Sequence, residues 1–149
     1  MGKTFKLYTI GFTKKNARQF FGLIQQSGVK RVLDTRLNNV SQLAGFTKKD
    51  DLSFFLEKVA GVSYDHTLRL APTDDMLKSY KKGEITWEAY ADAYIDLIRK
   101  RHVEELFSAD ALNGACLLCS EATPHHCHRR LAAEFFQNHL GGGVEIVHL

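Results

Sequence analysis

The sequence predicts one three-layer α/β domain, residues 1–149, with a mainly parallel central sheet and helices on both faces. Three observations carry that expectation. The chain opens as strand, helix, strand, the order of a parallel pair joined by a crossover. The apolar run Ala115 to Cys119 suits a strand buried on both faces. A second strand, helix, strand unit then closes the chain.

Taken in order, Phe5 to Gly11 reads as a strand, with aromatic and β-branched residues closed by glycine. Thr13 is a candidate N-cap for a helix to Ser27, with Ala17, Phe20, Phe21 and Ile24 at helical spacing and Gly28 as its stop. Arg31 to Leu37 is the second strand, and Asn38 to Phe46 an irregular loop. Asp50 to Ala60 reads as a helix with Leu52, Phe55, Leu56 and Val59 on one face, ended by Gly61. Val62 to His66 forms a short strand, and Pro72 to Gly83 a short helix with a turn. Thr86 to Arg101 is a longer helix that turns Tyr90, Tyr94, Leu97 and Ile98 inward, and Val103 to Ala109 extends the helical region. After the Ala115–Cys119 strand comes a loop, then a helix from Cys127 to Leu140 striped by Leu131, Ala132, Phe135 and Phe136. Gly141-Gly142-Gly143 releases it into a closing strand, Val144 to Leu149.

Composition narrows the function classes. A chain of 149 residues, 44% hydrophobic, buries a core without staples. No apolar run reaches transmembrane length, and the opening MGKTFKLYTIGF turns polar too soon for a signal peptide. Position 6 is lysine, so the myristoylation pattern is absent as well. Three cysteines, an odd number, point to a reducing, cytoplasmic setting. The net charge of +3 permits polyanion binding without arguing for it. Lys14-Lys15, Lys48-Lys49, Lys81-Lys82 and Arg99-Lys100-Arg101 are dispersed and joined by no motif, so each reads as a solvated face rather than a nucleic-acid footprint.

Chemistry concentrates in the segment CSEATPHHCHRR, which gathers Cys119, Glu121, His125, His126, Cys127, His128 and Arg129. It leaves a strand end and enters a helix N-terminus, where free N–H groups and the helix dipole favour an anion or a thiolate. Cys127 sits near that turn, so its pKa is open to lowering, with help from Arg129 or a protonated histidine. A phosphatase-type cradle is excluded: it needs an arginine six positions after the cysteine, and positions 125 and 133 are His and Ala. Cys116 and Cys119 point to opposite faces of their strand, so they share neither a disulfide nor a metal, and Cys116 reads as core. Tyr90 and Tyr94 read as core, His125 and His126 as exposed loop residues, and His148 as a satisfied edge histidine.

The stretch LLCSEATPHHCHRRLAA resembles the signature of domain-of-unknown-function family 488 (DUF488), with Cys-x-Glu at 119–121 and Cys-His-Arg at 127–129. Tyr8-Thr9-Ile10-Gly11 is similar to that family's opening strand, Asp34-Thr35-Arg36 to its Asp-x-Arg, Tyr64-x-His66 to its middle motif, and Val147-His148-Leu149 to its last strand. The chain departs from the pattern at Phe12-Thr13, at Asn38-Asn39 and at Arg69-Leu70-Ala71-Pro72. The resemblance implies a small α/β domain and brings no settled activity.

Two classes of function stand side by side. In the first, a small enzyme or sensor holds a transition metal, iron or zinc by donor type, through Cys119, Cys127, His128 and His66. In the second, a binding module grips an anionic or nucleotide ligand with Arg36, Arg129 and the helix N-terminus. Thiol nucleophile or redox chemistry and a nucleic-acid accessory role are the remaining alternatives. Glu121 serves as general acid or base, or braces the loop by pairing with Arg129. Asp34 and Arg36, two apart on one strand face, orient a ligand or form a structural salt bridge.

Overall fold

Five short stretches rich in leucine, β-branched and aromatic residues pair into one sheet. The computed structural model describes residues 5–38, 45–121, 125–140 and 143–149. Its strands are β1 (Phe5–Gly11), β2 (Arg31–Asp34), β3 (Ser63–His66), β4 (Ala115–Cys119) and β5 (Val144–His148). Its helices are α1 (Ala17–Ser27), α2 (Lys49–Phe55), α3 (Asp74–Lys81), α4 (Trp87–Lys100), α5 (Ala109–Leu112) and α6 (His128–His139). The strand order is β3-β2-β4-β1-β5 and every pairing is parallel.

The chain leaves β2 toward one edge of the sheet and leaves β4 toward the other. The topological switch point therefore lies beyond the carboxyl ends of β2 and β4, the place where open α/β sheets hold their ligands. Side chains alternate along β4: Cys116 and Leu118 join Phe20, Phe21, Ile24, Leu52 and Leu56 on the α1/α2 face. Ala115 and Leu117 join Tyr94, Ile98, Leu131 and Phe136 on the α4/α6 face. Both faces are thus covered, and all five residues of β4 are buried. Tyr90 and Tyr94 are core residues, and the Tyr94 hydroxyl donates to the Leu70 carbonyl at 2.6 Å.

Several boundaries differ from the expectation. The cap of α1 is Asn16, not Thr13: its side chain accepts from Gln19 N–H, and the Gln19 side chain accepts in return from Asn16 N–H. Thr13 is held instead at the end of β4, donating its N–H to the Ser120 carbonyl, and Ala17 is exposed. β2 stops at Asp34 because the Asp34 carboxylate accepts the N–H of Arg36, which bends the backbone out of the ladder. The Asp50–Ala60 helix is α-helical only to Phe55 and continues as a π-turn over Leu56–Ala60. Its buried face narrows to Leu52 and Leu56, while Phe55 and Val59 are exposed. Past α4 the helical region breaks at His102, whose φ of 54° is left-handed, and resumes as a 3-10 turn at Val103–Glu105 and as α5, capped by Ser108. Most of the expected Asn38–Phe46 loop, and Gly141-Gly142, lie outside the described residues.

Two substitutions test the narrowed face. Leu56 is fully buried and Val59 is 48% exposed. Leu56→Ala is expected to cost about 2–5 kcal/mol in urea unfolding, and Val59→Ala less than about 0.5 kcal/mol. Comparable losses at both positions contradict the π-turn register.

Candidate functional site

The site is built where β4 ends and α6 begins. Cys119 is the last residue of β4, and Cys127 is the N-cap of α6, with extended backbone. The structure brings their sulfurs into contact, with the Cα atoms 7.5 Å apart. Cys116 stays free and buried, and burial pushes its thiol well above its ordinary value, as suits an inert core residue. The sequence brought Cys119 and Cys127 together as metal ligands, and the structure brings their sulfurs into direct contact.

Arg129 is the second residue of α6 and is 0% exposed. Its Nη1 donates to the Glu121 carbonyl at 2.6 Å and to Cys119 Sγ at 3.1 Å, and lies 3.9 Å from Cys127 Sγ. Its Nε and Nη2 are buried and have no hydrogen-bond partner among the described residues. Among the described residues no carboxylate lies within ion-pair distance of it. The expected Glu121–Arg129 ion pair is therefore replaced: the glutamate offers its backbone oxygen, and its side chain sits in an exposed residue. Burial brings the Arg129 pKa down to about 10, with Cys116 and Glu121 opposing the fall.

Gly11 makes this approach feasible. A Cβ there would overlap the Glu121 carbonyl oxygen and lie 2.6 Å from Arg129 Nη1. Only a residue without a side chain lets β1 and the exit of β4 close around the guanidinium.

His128, expected as a metal ligand, is turned toward β2. Its Nε2 donates to the Thr35 carbonyl at 2.9 Å and lies 3.0 Å from Thr35 Oγ1, which donates to the Leu118 carbonyl. Burial lowers its pKa to about 4, so it is neutral at pH 7. His66 is likewise engaged, its Nε2 donating to the Arg36 carbonyl at 2.7 Å. The set Cys119, Cys127, His128 and His66 does not converge. Among the described residues the one group of three metal-type ligands within 4.8 Å is His102, Glu104 and Glu105 near the end of α4.

Asp34 and Arg36 form the salt bridge that the sequence offered as one alternative. Arg36 Nε and Nη2 hold the two Asp34 oxygens at 2.9 and 2.8 Å, and Nη2 also donates to the Thr47 carbonyl. The Tyr64 hydroxyl donates to Asp34 at 2.5 Å. Arg36 stacks over Phe12 at 5.1 Å, and its Nη1 is buried without a partner. Sequence reasoning gave Tyr64, Thr35 and Gly11 no role at the site. For Tyr64 the signal was present: it lies two residues before His66 on a strand, hence on the same face.

His125 and His126 are exposed, as expected, but not loose: His126 stacks on Trp87 at 4.8 Å and His125 on His126 at 4.3 Å. This ladder fixes the backbone that delivers Cys127.

A family model described as "Domain of unknown function DUF488" matches residues 16–136, and the chain belongs to that family. Neither the curated proteins nor the solved structures contain a match.

Two outcomes follow from this geometry. Gly11→Ala is expected to break the contact between Arg129 and the Glu121 carbonyl and to lower stability by about 2 kcal/mol or more in thermal or urea unfolding. A neutral effect contradicts the close approach. His128 has a folded pKa of about 4, below its ordinary 6.5, so the unfolded chain takes up the proton first as the pH falls. Its contribution, up to roughly 3 kcal/mol, is present above pH 6.5 and is lost as the pH falls toward 4. His128→Gln, which keeps a donor for Thr35 and does not titrate, is expected to flatten the stability profile over that window.

Proposed function

We propose that this DUF488 protein acts through a reversible dithiol–disulfide couple formed by Cys119 and Cys127, in a small redox enzyme or sensor. The observation that carries this reading is the meeting of the two sulfurs at a strand end and a helix N-cap, with a buried guanidinium 3.1 Å from one of them. Arg129 and the α6 N-terminus both favour negative charge on sulfur. The thiolate is the reactive form, so they favour the reduced state's nucleophile.

The balance of the step is simple. An external dithiol attacks one sulfur as its thiolate, the Cys119–Cys127 bond breaks, and a mixed disulfide forms. The second external thiol displaces that sulfur and leaves as a disulfide. Two electrons reach the protein; Cys119 leaves as the thiolate paired with Arg129, and Cys127 takes a proton. With 1% and 2% exposure, the two cysteines are shielded from bulk thiols. The shielding selects a small dithiol or a partner that docks at the strand ends.

The reduced pair also offers two thiolates to a soft metal, zinc or iron by donor type, and this is the second reading. It keeps Cys119 and Cys127 from the expected ligand set. It does not keep the Nε2 atoms of His128 and His66, both of which donate to carbonyl oxygens. A four-coordinate centre therefore needs further donors.

Thiol mapping by mass spectrometry, with metal analysis of the same chelator-free sample, separates the readings. Mild oxidation is expected to give a Cys119–Cys127 peptide pair that a dithiol reverses, with Cys116 free throughout and no stoichiometric metal. If the pair never crosslinks and near-stoichiometric zinc or iron is lost in Cys127→Ser, the metal reading replaces this one.

A further inference from the structure

The close group of metal-type ligands just past α4 shares no residue with the sulfur pair. His102, Glu104 and Glu105 each bring one donor atom, and the three atoms lie within 4.8 Å of one another. His102 Nδ1 is 3.6 Å from Glu104 Oε1. Two bonds of about 2.1 Å to a shared ion span that distance at an angle of roughly 120°, close to tetrahedral. The local backbone makes the set. His102, at φ 54°, ends the helical run of α4 and opens the 3-10 turn Val103–Glu105. Val103 is 0% exposed and anchors that turn in the core, and Glu105 N–H donates to the His102 carbonyl at 3.0 Å. Residues three apart eclipse in a 3-10 turn, which brings Glu105 back over His102.

The surroundings favour a cation. α4 is 14 residues long, and its carboxyl end carries partial negative charge. Among the described residues no lysine or arginine lies within ion-pair distance of Glu104 or Glu105. The adjacent triplet Arg99-Lys100-Arg101 is turned elsewhere. Lys100 pairs with Asp96 at 2.9 Å, and Arg101 Nη1 donates to the carbonyls of Leu68, Arg69 and Ala71. Arg99 lines a groove with Ile95, Leu131 and Phe135. The Glu104 side chain is 19% exposed, and its Oε2 is buried with no hydrogen-bond partner among the described residues. A covered carboxylate calls for a partner, and a divalent ion supplies one. That covered oxygen and the imidazole set this group apart from a patch of exposed acids. His102, with its side chain 67% exposed, leaves the donors open to solvent.

We infer that His102, Glu104 and Glu105 bind one divalent transition-metal ion of the zinc class at the carboxyl end of α4. One imidazole with two carboxylates suits zinc better than calcium, which collects oxygen ligands alone. The two carboxylates neutralise the ion. Three protein ligands leave a position for water, the coordination of an open zinc site rather than a closed structural one. The site stands whether or not Cys119 and Cys127 form a redox couple.

Calorimetric titration of Zn2+ tests the inference in the wild-type chain and in Cys119→Ser/Cys127→Ser, which keeps zinc off the sulfur pair. In the serine background, His102→Asn and Glu105→Gln each remove one ligand, and asparagine tolerates the left-handed backbone at 102. His139→Gln is the control, an exposed histidine outside the set. Circular dichroism checks each fold. The serine background is expected to bind one zinc per chain. His102→Asn and Glu105→Gln are each expected to weaken it at least about tenfold, and His139→Gln to leave it unchanged. Imidazole NMR of the wild-type chain gives a readout that does not depend on the serine variant: zinc is expected to shift the ring signals that are missing from His102→Asn. Zinc uptake confined to the cysteine-containing chain overturns the inference and favours a metal at the sulfurs. Unchanged affinity in His102→Asn or Glu105→Gln, an equal loss in His139→Gln, or unshifted His102 signals overturn it as well.

Discussion

The contact between Arg129 and the end of β4 organises this molecule's functional end. A guanidinium at 0% exposure is held on its Nη1 side by groups from separated parts of the chain. The Glu121 carbonyl and the Cys119 sulfur come from the exit of β4, and Gly11 yields the space from β1. The sheet order makes this meeting feasible, since β4 lies between β2 and β1 and its exit faces both neighbours.

The carboxyl end of the sheet has two halves of opposite character. On the α1/α2 side, Arg36 is closed by Asp34, Tyr64 and the Thr47 carbonyl, a cation with its counter-charge in place. On the α4/α6 side, Arg129 has sulfur and carbonyl oxygen and, among the described residues, no carboxylate. The first half fixes backbone: it ends β2 and, through the Arg36 carbonyl, orients His66. The second half leaves Arg129 Nε and Nη2 without a hydrogen-bond partner among the described residues. His128 joins the halves, reaching from α6 to Thr35 just past β2.

Much of this fold was legible in the residues. β1 and β4 were read to their observed ends, because an apolar run closed by glycine or by a change to polar residues marks a strand on both sides. The end of β2 was not, because a side-chain carboxylate bonding two residues ahead leaves no trace in hydropathy. The cap of α1 was legible and misassigned: Gln19 three residues after Asn16 is the capping-box pattern, and Thr13 has Asn16 at that place instead. At the site, the cluster of ligand-type residues named Cys119, Cys127, His128 and His66 as one set; the structure brings the two sulfurs together and turns the two histidines to carbonyl oxygens. The inward turn of Arg129 was written in the sequence, since Arg129, Ala132, Ala133 and Phe136 follow i, i+3, i+4, i+7 and put a cation on the buried stripe of α6. The joining of Cys119 to Cys127 was not, because a distance across a loop is set by the sheet and not by spacing.

The central claim is that Arg129 holds Cys119 as a thiolate in the reduced protein. Ultraviolet absorbance of the thiolate, followed against pH in reduced protein and in Cys119→Ser, measures it directly. The expected result is one thiol that ionises well below the ordinary value of about 8.5 and is missing from the Cys119→Ser titration. A reduced protein in which no thiol ionises below that value contradicts the account, because the buried guanidinium then has no anionic partner in the sulfur pair.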